Sequence, residues 1–227
     1  MTTTLAGGEL EVLGLLPGAS NHTFLGRVGR VQVVYKPIRG EAPLWDFPPG
    51  TLAAREVAAA RLARALGWPH VPATVLRDGP AGLGAVQEFV ASVPGEHFFT
   101  LREERPDDLR TVAAFDVVAN NADRKGGHVL LGDDGRVWCI DHGLTFHVET
   151  KLRTVIWDFA GQPLPERVAE DLERVRGELA DGGLRAELLD LLEAAEVDAA
   201  ADRAAALLEA GRLPEPGPGR VVPWPLV

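Results

Sequence analysis

The chain has 227 residues and a formal net charge of −10, with 46% hydrophobic and 25% charged residues. These values are typical of a globular protein with a substantial core, and the acidic charge argues against a nucleic-acid partner, whose phosphates would need a basic surface. No apolar run is long enough to span a bilayer, and the N-terminus MTTTLAGGEL lacks the basic and apolar regions of an export signal. We therefore expect a cytoplasmic protein without integral membrane association, of undetermined oligomeric state.

The first part of the chain predicts a five-stranded sheet and one helix. Short apolar runs separated by Gly, Pro and Asn are typical of strands, and the first three predict an antiparallel meander. A helix is predicted over residues 52–66, where Ala and Leu recur up to Gly67, a residue type that commonly ends helices. A Pro-rich loop, 37–50, precedes this helix. The predicted strands cover residues 10–16, 23–28, 30–36, 72–76 and 83–90.

After a loop at 92–95, the second part of the chain is predicted to be mainly helical. An aspartate at 107 or 108 can cap a helix that ends near residue 121. Two short strands, 128–131 and 136–140, flank the hairpin signal Gly-Asp-Asp-Gly, and Cys139, the only cysteine, is predicted to be a buried strand thiol. Two or three helices are predicted from 165 to about 208, with a break at Gly182-Gly183, and the last residues, PEPGPGRVVPWPLV, are predicted to be extended.

The densest polar cluster is NNADRKGGH at residues 120–128. The apolar run VLL follows it, and the next predicted strand leads into Ile140-Asp141-His142-Gly143. This pattern, D-R-x-x-x-[NH]-x-L-L followed by an apolar strand that ends in D-x-G, resembles the catalytic and metal-binding loops of phosphatidylinositol 3- and 4-kinase-like proteins and HipA-type kinases. The whole chain is similar to an actinobacterial family of that atypical-kinase superfamily.

The resemblance implies an α+β, two-lobed protein-kinase-like fold in a single domain. Its N-lobe, residues 1–92, would contain the antiparallel sheet, and its C-lobe, residues 93–227, would be mainly helical. The implied activity is phosphoryl transfer from ATP, which depends on positioning and charge neutralisation. Asp123 would orient or deprotonate the acceptor hydroxyl, Lys125 would contact the transferred phosphate, and Asp141 would bind Mg²⁺ or Mn²⁺.

His128 occupies the position where the resembling families carry a metal-binding asparagine. Magnesium prefers hard oxygen ligands, whereas imidazole suits softer metals such as manganese. We therefore predict that His128 is a metal ligand and shifts the preference towards Mn²⁺. The alternative is that its ring only fills the loop and forms a hydrogen bond there.

Upstream residues follow the order of a kinase-like small lobe. The turn GASNHT offers backbone N–H groups at Ser20 and Asn21 that could cradle phosphates, although a plain hairpin turn explains it as well. Lys36 ends an apolar strand and resembles the lysine that contacts nucleotide phosphates; its alternative is a solvated strand end. Glu56, on the following helix, is predicted to pair with Lys36, and a surface pair with an arginine is its alternative.

Two further features complete the predicted site. The string VQEFV resembles the hinge that holds adenine through backbone groups, so Gln87, Glu88 and Val90 are predicted to bind nucleotide. Asp116, on the helix before the polar cluster, either holds the catalytic loop by hydrogen bonds or is a solvated helix carboxylate.

The predicted function is transfer of the ATP γ-phosphate to an unknown hydroxyl-bearing acceptor. Segment 144–162 should face that acceptor, and Lys151 and Arg153 are its only Lys or Arg residues, which is little charge for binding a phosphoinositide head group. A protein or small-molecule hydroxyl is therefore favoured over a lipid. Three alternatives stay open: adenylate transfer in the same cleft, a nucleotide-binding pseudokinase that acts as an interaction module, and an unrelated α+β domain.

Overall fold

The computed structural model describes residues 2–17 and 21–227. An antiparallel sheet forms most of the first part of the chain, and helices dominate the rest, so the predicted α+β class is confirmed. The first part contains the helices Thr2–Gly7 (α1) and Leu52–Leu66 (α2) and the strands Leu10–Leu15 (β1), Phe24–Val28 (β2), Val31–Pro37 (β3), Thr74–Gly79 (β4) and Gly82–Glu88 (β5).

The sheet has the strand order β1-β2-β3-β5-β4. The first three strands form the predicted meander, and the tight hairpin between β4 and β5 places β5 against β3. In that pairing Lys36 lies opposite Ala85, and Pro37 lies opposite Gly84. A Cβ atom at Gly84 would lie only 2.5 Å from the carbonyl oxygen of Lys36, so this close approach requires glycine. Gly84 thereby allows β5 to pack closely against the end of β3 that carries Lys36.

Helix α1 and the bounds of strand β4 differ from the sequence-based prediction. Helix α1 was not predicted; it forms because Leu5 is buried in the sheet core and because the guanidinium of Arg77 donates to the carbonyl oxygens of Leu5 and Gly8, at 2.8 and 2.7 Å. Strand β4 covers Thr74–Gly79 rather than the predicted residues 72–76. The first difference depends on contacts between distant segments, whereas the second lies within the β4–β5 hairpin.

The second part contains five helices and a two-stranded ribbon. The ribbon is the predicted hairpin, and the Cys139 thiol within it is fully buried, which raises its pKa to about 12. Among the described residues, no helix has the length and apolarity needed to cross a membrane. The helices are Phe98–Leu101 (α3), Pro106–Ala119 (α4), Glu166–Ala180 (α5), Gly183–Leu189 (α6) and Ala194–Ala210 (α7), and the strands are Val129–Leu131 (β6) and Val137–Cys139 (β7).

The interior contains two main hydrophobic clusters. One lies at the sheet and includes Val33, Tyr35 and Val86. The larger one joins the inner face of α2, including Leu62 and Leu66, to the buried faces of α4 to α7. Helix α2 therefore lies between the two parts of the molecule, in contact with β4 and β5 on one side and with α5 and α6 on the other.

Candidate active site

Lys36, Glu56 and Asp141 come from three different elements and meet at one point. Lys36 is near the end of β3, Glu56 lies in α2, and Asp141 follows β7. The Lys36 ammonium donates to Glu56 Oε1 and lies 3.0 Å from Asp141 Oδ1. The predicted pair between Lys36 and Glu56 is present. The surface alternative for Glu56 is wrong, because its side chain is only 3% exposed.

Asp141 has an unusual backbone conformation. Its φ of 60° lies in the left-handed region, which aspartate tolerates better than most non-glycine residues but which still costs energy. Its Oδ2 lies 3.3 Å from His128 Nε2, and its side chain is 51% exposed. The charge of Lys36 holds the pKa of Asp141 well below its ordinary value, against partial desolvation of the carboxylate by the surrounding protein. Asp141 is thus an ionised carboxylate with room for a ligand.

Glu56 leaves one carboxylate oxygen unused. Its Oε2 is buried and has no hydrogen-bond partner among the described residues. Burial raises the pKa of Glu56, and the charge of Lys36 opposes that rise. Burial would lower the pKa of Lys36, but Asp141 and Glu56 outweigh it and the pKa is raised, so Lys36 stays charged. Lys36 thus lies between two carboxylates, and the Glu56 Oε2 oxygen beside it has no partner among the described residues. Such a group of charged side chains with shifted pKa values is typical of a functional site.

Asp123 and Lys125 form a second pair on the loop after α4. Asp123 Oδ2 lies 3.3 Å from the Lys125 ammonium, and the two side chains are 28% and 18% exposed. The backbone N–H of Asp123 donates to Asn121 Oδ1 at 3.0 Å. Burial raises the pKa of Asp123, while Lys125 opposes the rise and the charge of Asp141 adds to it. The carboxylates of Asp123 and Asp141 are therefore close enough to influence each other's protonation.

A fully buried arginine, Arg124, holds this loop in place. Its guanidinium donates to both carboxylate oxygens of Asp116, at 2.9 to 3.2 Å, and to the carbonyl oxygen of Ile140 at 3.0 Å. Asp116 also accepts from Asn121 Nδ2 and from the Thr154 hydroxyl. Asp116 is fully buried and holds the loop after α4 by these hydrogen bonds, so the alternative of a solvated helix carboxylate is wrong. Arg124 thus connects α4 with Ile140, the residue before Asp141.

His142 belongs to the same buried network. Its Nε2 lies 2.8 Å from Arg124 Nη2, and because a guanidinium can only donate, the imidazole nitrogen accepts. Burial, with a further contribution from Arg124, holds the pKa of His142 well below its ordinary value. The ring is therefore neutral with its proton on Nδ1, and its Nε2 is not available to a metal.

His128 lies between the Asp141 carboxylate and the backbone of Lys125. Its Nδ1 lies 3.4 Å from the backbone nitrogen of Lys125 and accepts that N–H, so the proton of the neutral ring resides on Nε2, which faces Asp141. This is the geometry of the hydrogen-bonding alternative. The metal-ligand role stays a prediction, since binding through Nε2 requires the other tautomer.

The burial of His128 leads to a pH prediction. Burial lowers its pKa to about 4, although Asp141 opposes the shift, whereas an unfolded histidine titrates near 6.5. As the pH falls, His128 in the unfolded chain binds a proton before His128 in the folded protein does. The contribution of neutral His128 to the free energy of unfolding is therefore complete above about pH 6.5 and is lost as the pH falls towards 4. We expect urea unfolding between pH 7.5 and 5 to show this loss, and His128→Asn to reduce it; His142 contributes in the same direction. His22→Gln, which changes an exposed histidine, is the control. A pH dependence that His128→Asn leaves unchanged would remove His128 from this account.

Asn21 of the predicted phosphate turn and Gln87 of the predicted hinge use their side chains for hydrogen bonds within the protein. Ser20 lies outside the described residues. Asn21 Oδ1 accepts the backbone N–H of Ala42 at 2.8 Å, so its side chain holds the Pro-rich loop. Gln87 is buried, and its Nε2 donates to the Thr74 hydroxyl at 3.0 Å, so its side chain braces the sheet.

Two backbone N–H groups at the end of β5 donate hydrogen bonds within the protein. The Glu88 N–H donates to the carbonyl oxygen of Ala73, and the Phe89 N–H donates to that of Gln32, both at 2.9 Å. Val90 follows, just beyond the strand. These two main-chain N–H groups are therefore already used within the protein.

Sequence reasoning missed the role of Asp46 in the Pro-rich loop. Its Oδ2 lies 3.5 Å from the Lys151 ammonium and 3.6 Å from Arg153 Nη2, and its side chain is 8% exposed. Both basic residues of the predicted acceptor-facing segment are thus held by one buried carboxylate. An acidic residue between two aromatic residues, Trp45 and Phe47, was the available signal.

A second missed residue is Arg55, beside Glu56 in α2. Its side chain is 1% exposed; it donates to the Thr145 carbonyl oxygen at 2.7 Å and pairs with Glu196 of α7 at 2.5 Å. These contacts anchor α2 to the segment after Asp141 and to the helical part. Arg55 therefore helps to hold Glu56 in the cleft.

Comparison with known proteins identifies the relatives of the chain. No protein-family model matches it. Protein Rv2133c of Mycobacterium tuberculosis is 44% identical over 263 aligned residues, which cover 97% of this chain and 93% of that protein. The chain belongs to the Rv2133c family. Identity at this level over nearly the whole of both proteins establishes common descent.

The fold of this member of the Rv2133c family is similar to that of several proteins of solved structure. The Golgi casein kinase with Mn and ADP bound matches with a TM-score of 0.58 at 13% identity, covering 92% of this chain and 74% of that one. Hydra Fam20, solved with sugar, matches with a TM-score of 0.54 at 14% identity, covering 92% and 86%. These likenesses confirm the kinase-like fold.

Proposed function

We propose that this protein is an ATP- and metal-dependent phosphotransferase of the atypical-kinase type, related to the phosphatidylinositol 3- and 4-kinase-like superfamily. The observation that carries the proposal is the meeting of Lys36, Glu56 and Asp141 in one cleft, with the pair Asp123 and Lys125 on the adjoining loop. Such an arrangement supplies a cation for phosphates, carboxylates for a metal and a carboxylate for the acceptor. The likeness to a kinase solved with Mn and ADP supports it.

In this proposal ATP lies between an N-lobe, residues 1–92, and a C-lobe, residues 93–227. Lys36 binds the phosphates, together with the backbone of the turn at Ser20 and Asn21. The main chain at Glu88 and Val90 contacts adenine, and Gln87 supports that end of β5 through Thr74.

The residues present fit a divalent metal. Asp141 is ionised and half exposed, and the buried Glu56 Oε2 lacks a partner among the described residues, so two hard oxygen donors suit Mg²⁺ or Mn²⁺. His128 Nε2 is a further donor once its proton moves to Nδ1. No group of three or more His, Cys, Asp or Glu suited to a metal occurs in ranges 2–17 and 21–227, so the ATP phosphates must complete the site. A bound metal would neutralise phosphate charge.

Asp123 is proposed to act on the acceptor. Its raised pKa makes it a better proton acceptor than an ordinary aspartate, and Lys125 orients its carboxylate. The hydroxyl oxygen of the acceptor forms a bond to the γ-phosphorus, the bond from that phosphorus to the bridging oxygen of ADP breaks, and the hydroxyl proton passes to Asp123. Lys125 contacts the transferred phosphate.

The acceptor is proposed to be a protein or small-molecule hydroxyl rather than a lipid. Asp46 pairs with both Lys151 and Arg153, so the segment presents less positive charge than its sequence suggests. A polyanionic phosphoinositide head group would need unpaired cations there.

A pseudokinase is the second candidate, and the contact between His128 and Asp141 favours it. The Nε2 proton points at the carboxylate that a catalytic metal needs, in the arrangement the structure shows. This candidate retains nucleotide binding and has no turnover.

Nucleotide binding is tested at Lys36. We expect ATP with Mg²⁺ or Mn²⁺ to stabilise the parent by about 2.7 kcal/mol when ATP is at a hundredfold excess over its Kd, and to stabilise Lys36→Met very little, because the phosphates lose their cation. Thermal unfolding with and without ATP measures both, and circular dichroism checks the fold. Arg27→Ala, which removes an exposed arginine of β2, is the matched control. Equal affinity for ATP in the parent and Lys36→Met would mean that the cleft is wrongly assigned.

A further inference from the structure

The final segment of the chain is bonded to the loop that carries Asp123. The backbone N–H of Gly126 donates to the carbonyl oxygen of Leu226 at 2.7 Å. Five residues earlier, the carbonyl oxygen of Val221 accepts the N–H of Thr154 at 3.0 Å and the indole N–H of Trp157 at 2.9 Å. We call residues 221–227 the strap.

The two anchor points of the strap are connected through the catalytic loop. Segment 153–155 runs beside Arg124: the Arg124 N–H donates to the Arg153 carbonyl oxygen at 3.0 Å, and the Val155 N–H donates to the Arg124 carbonyl oxygen at 3.1 Å. The strap therefore holds the loop at Gly126 directly and at Arg124 through Thr154. Lys125, the partner of Asp123, lies between these two points.

The loop and the strap are also closely packed. A Cβ atom at Gly126 would lie 2.8 Å from the Phe99 ring and 3.3 Å from the Leu226 carbonyl oxygen, so the loop is confined between α3 and the strap. The strap itself remains rather exposed, at 38% for Leu226 and 57% for Val227. It adds little to the hydrophobic core, and its contact with Gly126 is made by main-chain atoms.

We propose that the strap is a positioning element of the active site. Through the Leu226 carbonyl it holds Gly126 and thereby the geometry of Lys125 and Asp123; its effect on turnover rests on the proposed phosphotransferase function, whereas its effect on the loop does not. Lys36 and Asp141 make no recorded hydrogen bond or ion pair to the strap among the described residues. Binding of ADP, which lacks the phosphate that Lys125 is proposed to contact, should thus be independent of the strap.

The test compares a chain that ends at Pro225 with the double variant Leu226→Ala/Val227→Ala, which retains the Leu226 carbonyl. We expect hydrogen exchange in a peptide covering residues 123–128 to rise about fivefold to tenfold in the shortened chain, as for the loss of one hydrogen bond, and to stay within about twofold of the parent in the double variant. The kcat for ATP should fall in the shortened chain, while its affinity for ADP, which lacks the transferred phosphate, stays that of the parent. Trp224→Ala, at a 77% exposed site, is the control.

Parent-like exchange in the shortened chain would overturn the proposal, and so would an equal rise in the double variant, which would assign the effect to side-chain packing. A parallel loss of affinity for ADP and of kcat would also overturn it, because the strap is proposed to position only the residues that act on the transferred phosphate and the acceptor. Absence of turnover in the parent would contradict the proposed function, while the exchange measurement would still decide the role of the strap.

Discussion

Arg124→Ala should lower the free energy of unfolding by about 3–5 kcal/mol, the cost typical of breaking a buried ion pair. The substitution leaves the Asp116 carboxylate buried and uncompensated, since both side chains are fully enclosed. It also removes the donor to the Ile140 carbonyl oxygen and to His142 Nε2. A domain of this size has only about 5–15 kcal/mol of stability, so the loss is a large fraction of the total. Urea unfolding at neutral pH measures it.

An exposed arginine–aspartate pair provides the matched control. Arg102 lies 3.3 Å from Asp158, with both side chains nearly half exposed. Such pairs contribute about 0–1 kcal/mol because water and salt screen them. If Arg124→Ala costs no more than Arg102→Ala, Arg124 does not hold the loop as described.

The strands and α2 could be predicted because their signals are local. Apolar runs bounded by Gly, Pro and Asn indicate strands wherever they occur, and the Ala- and Leu-rich run up to Gly67 indicates a helix. The pair between Lys36 and Glu56 followed from their chain order. The geometry of this pair also depends on Asp141, and no local sequence pattern indicates the left-handed backbone conformation of that residue.

The features that escaped prediction depend on contacts between distant residues. Helix α1 depends on Arg77, and the charge of segment 144–162 depends on Asp46, about 100 residues upstream of Lys151. The sequence placed Asp116 on a helix but could not decide its burial, because that requires knowing which face meets Arg124. The extended strap was predicted, but its bond to Gly126 was not. Propensity describes a segment, whereas these contacts depend on how segments pack.

Asp123→Asn should reduce turnover of ATP by about 10²–10⁴-fold, the range for loss of a general base. The amide keeps the size of the side chain but cannot accept the hydroxyl proton. Affinity for ATP should stay that of the parent, since Lys36 and Asp141 are unchanged. Asp133→Asn, which alters an exposed aspartate of the β6–β7 hairpin, is the control. Parent-like turnover by Asp123→Asn would remove Asp123 from the mechanism.

The identity of the products formed from ATP tests the central claim most directly. The protein is incubated with ATP and Mg²⁺ or Mn²⁺ beside Asp123→Asn, and the nucleotides and phosphates are separated by chromatography. With water as the acceptor in this assay, phosphoryl transfer predicts ADP and inorganic phosphate from the parent, with far less of both from the variant. AMP with pyrophosphate would instead indicate adenylate transfer, and tight ATP binding without any product would indicate a pseudokinase; either result contradicts the proposal that this protein transfers the γ-phosphate.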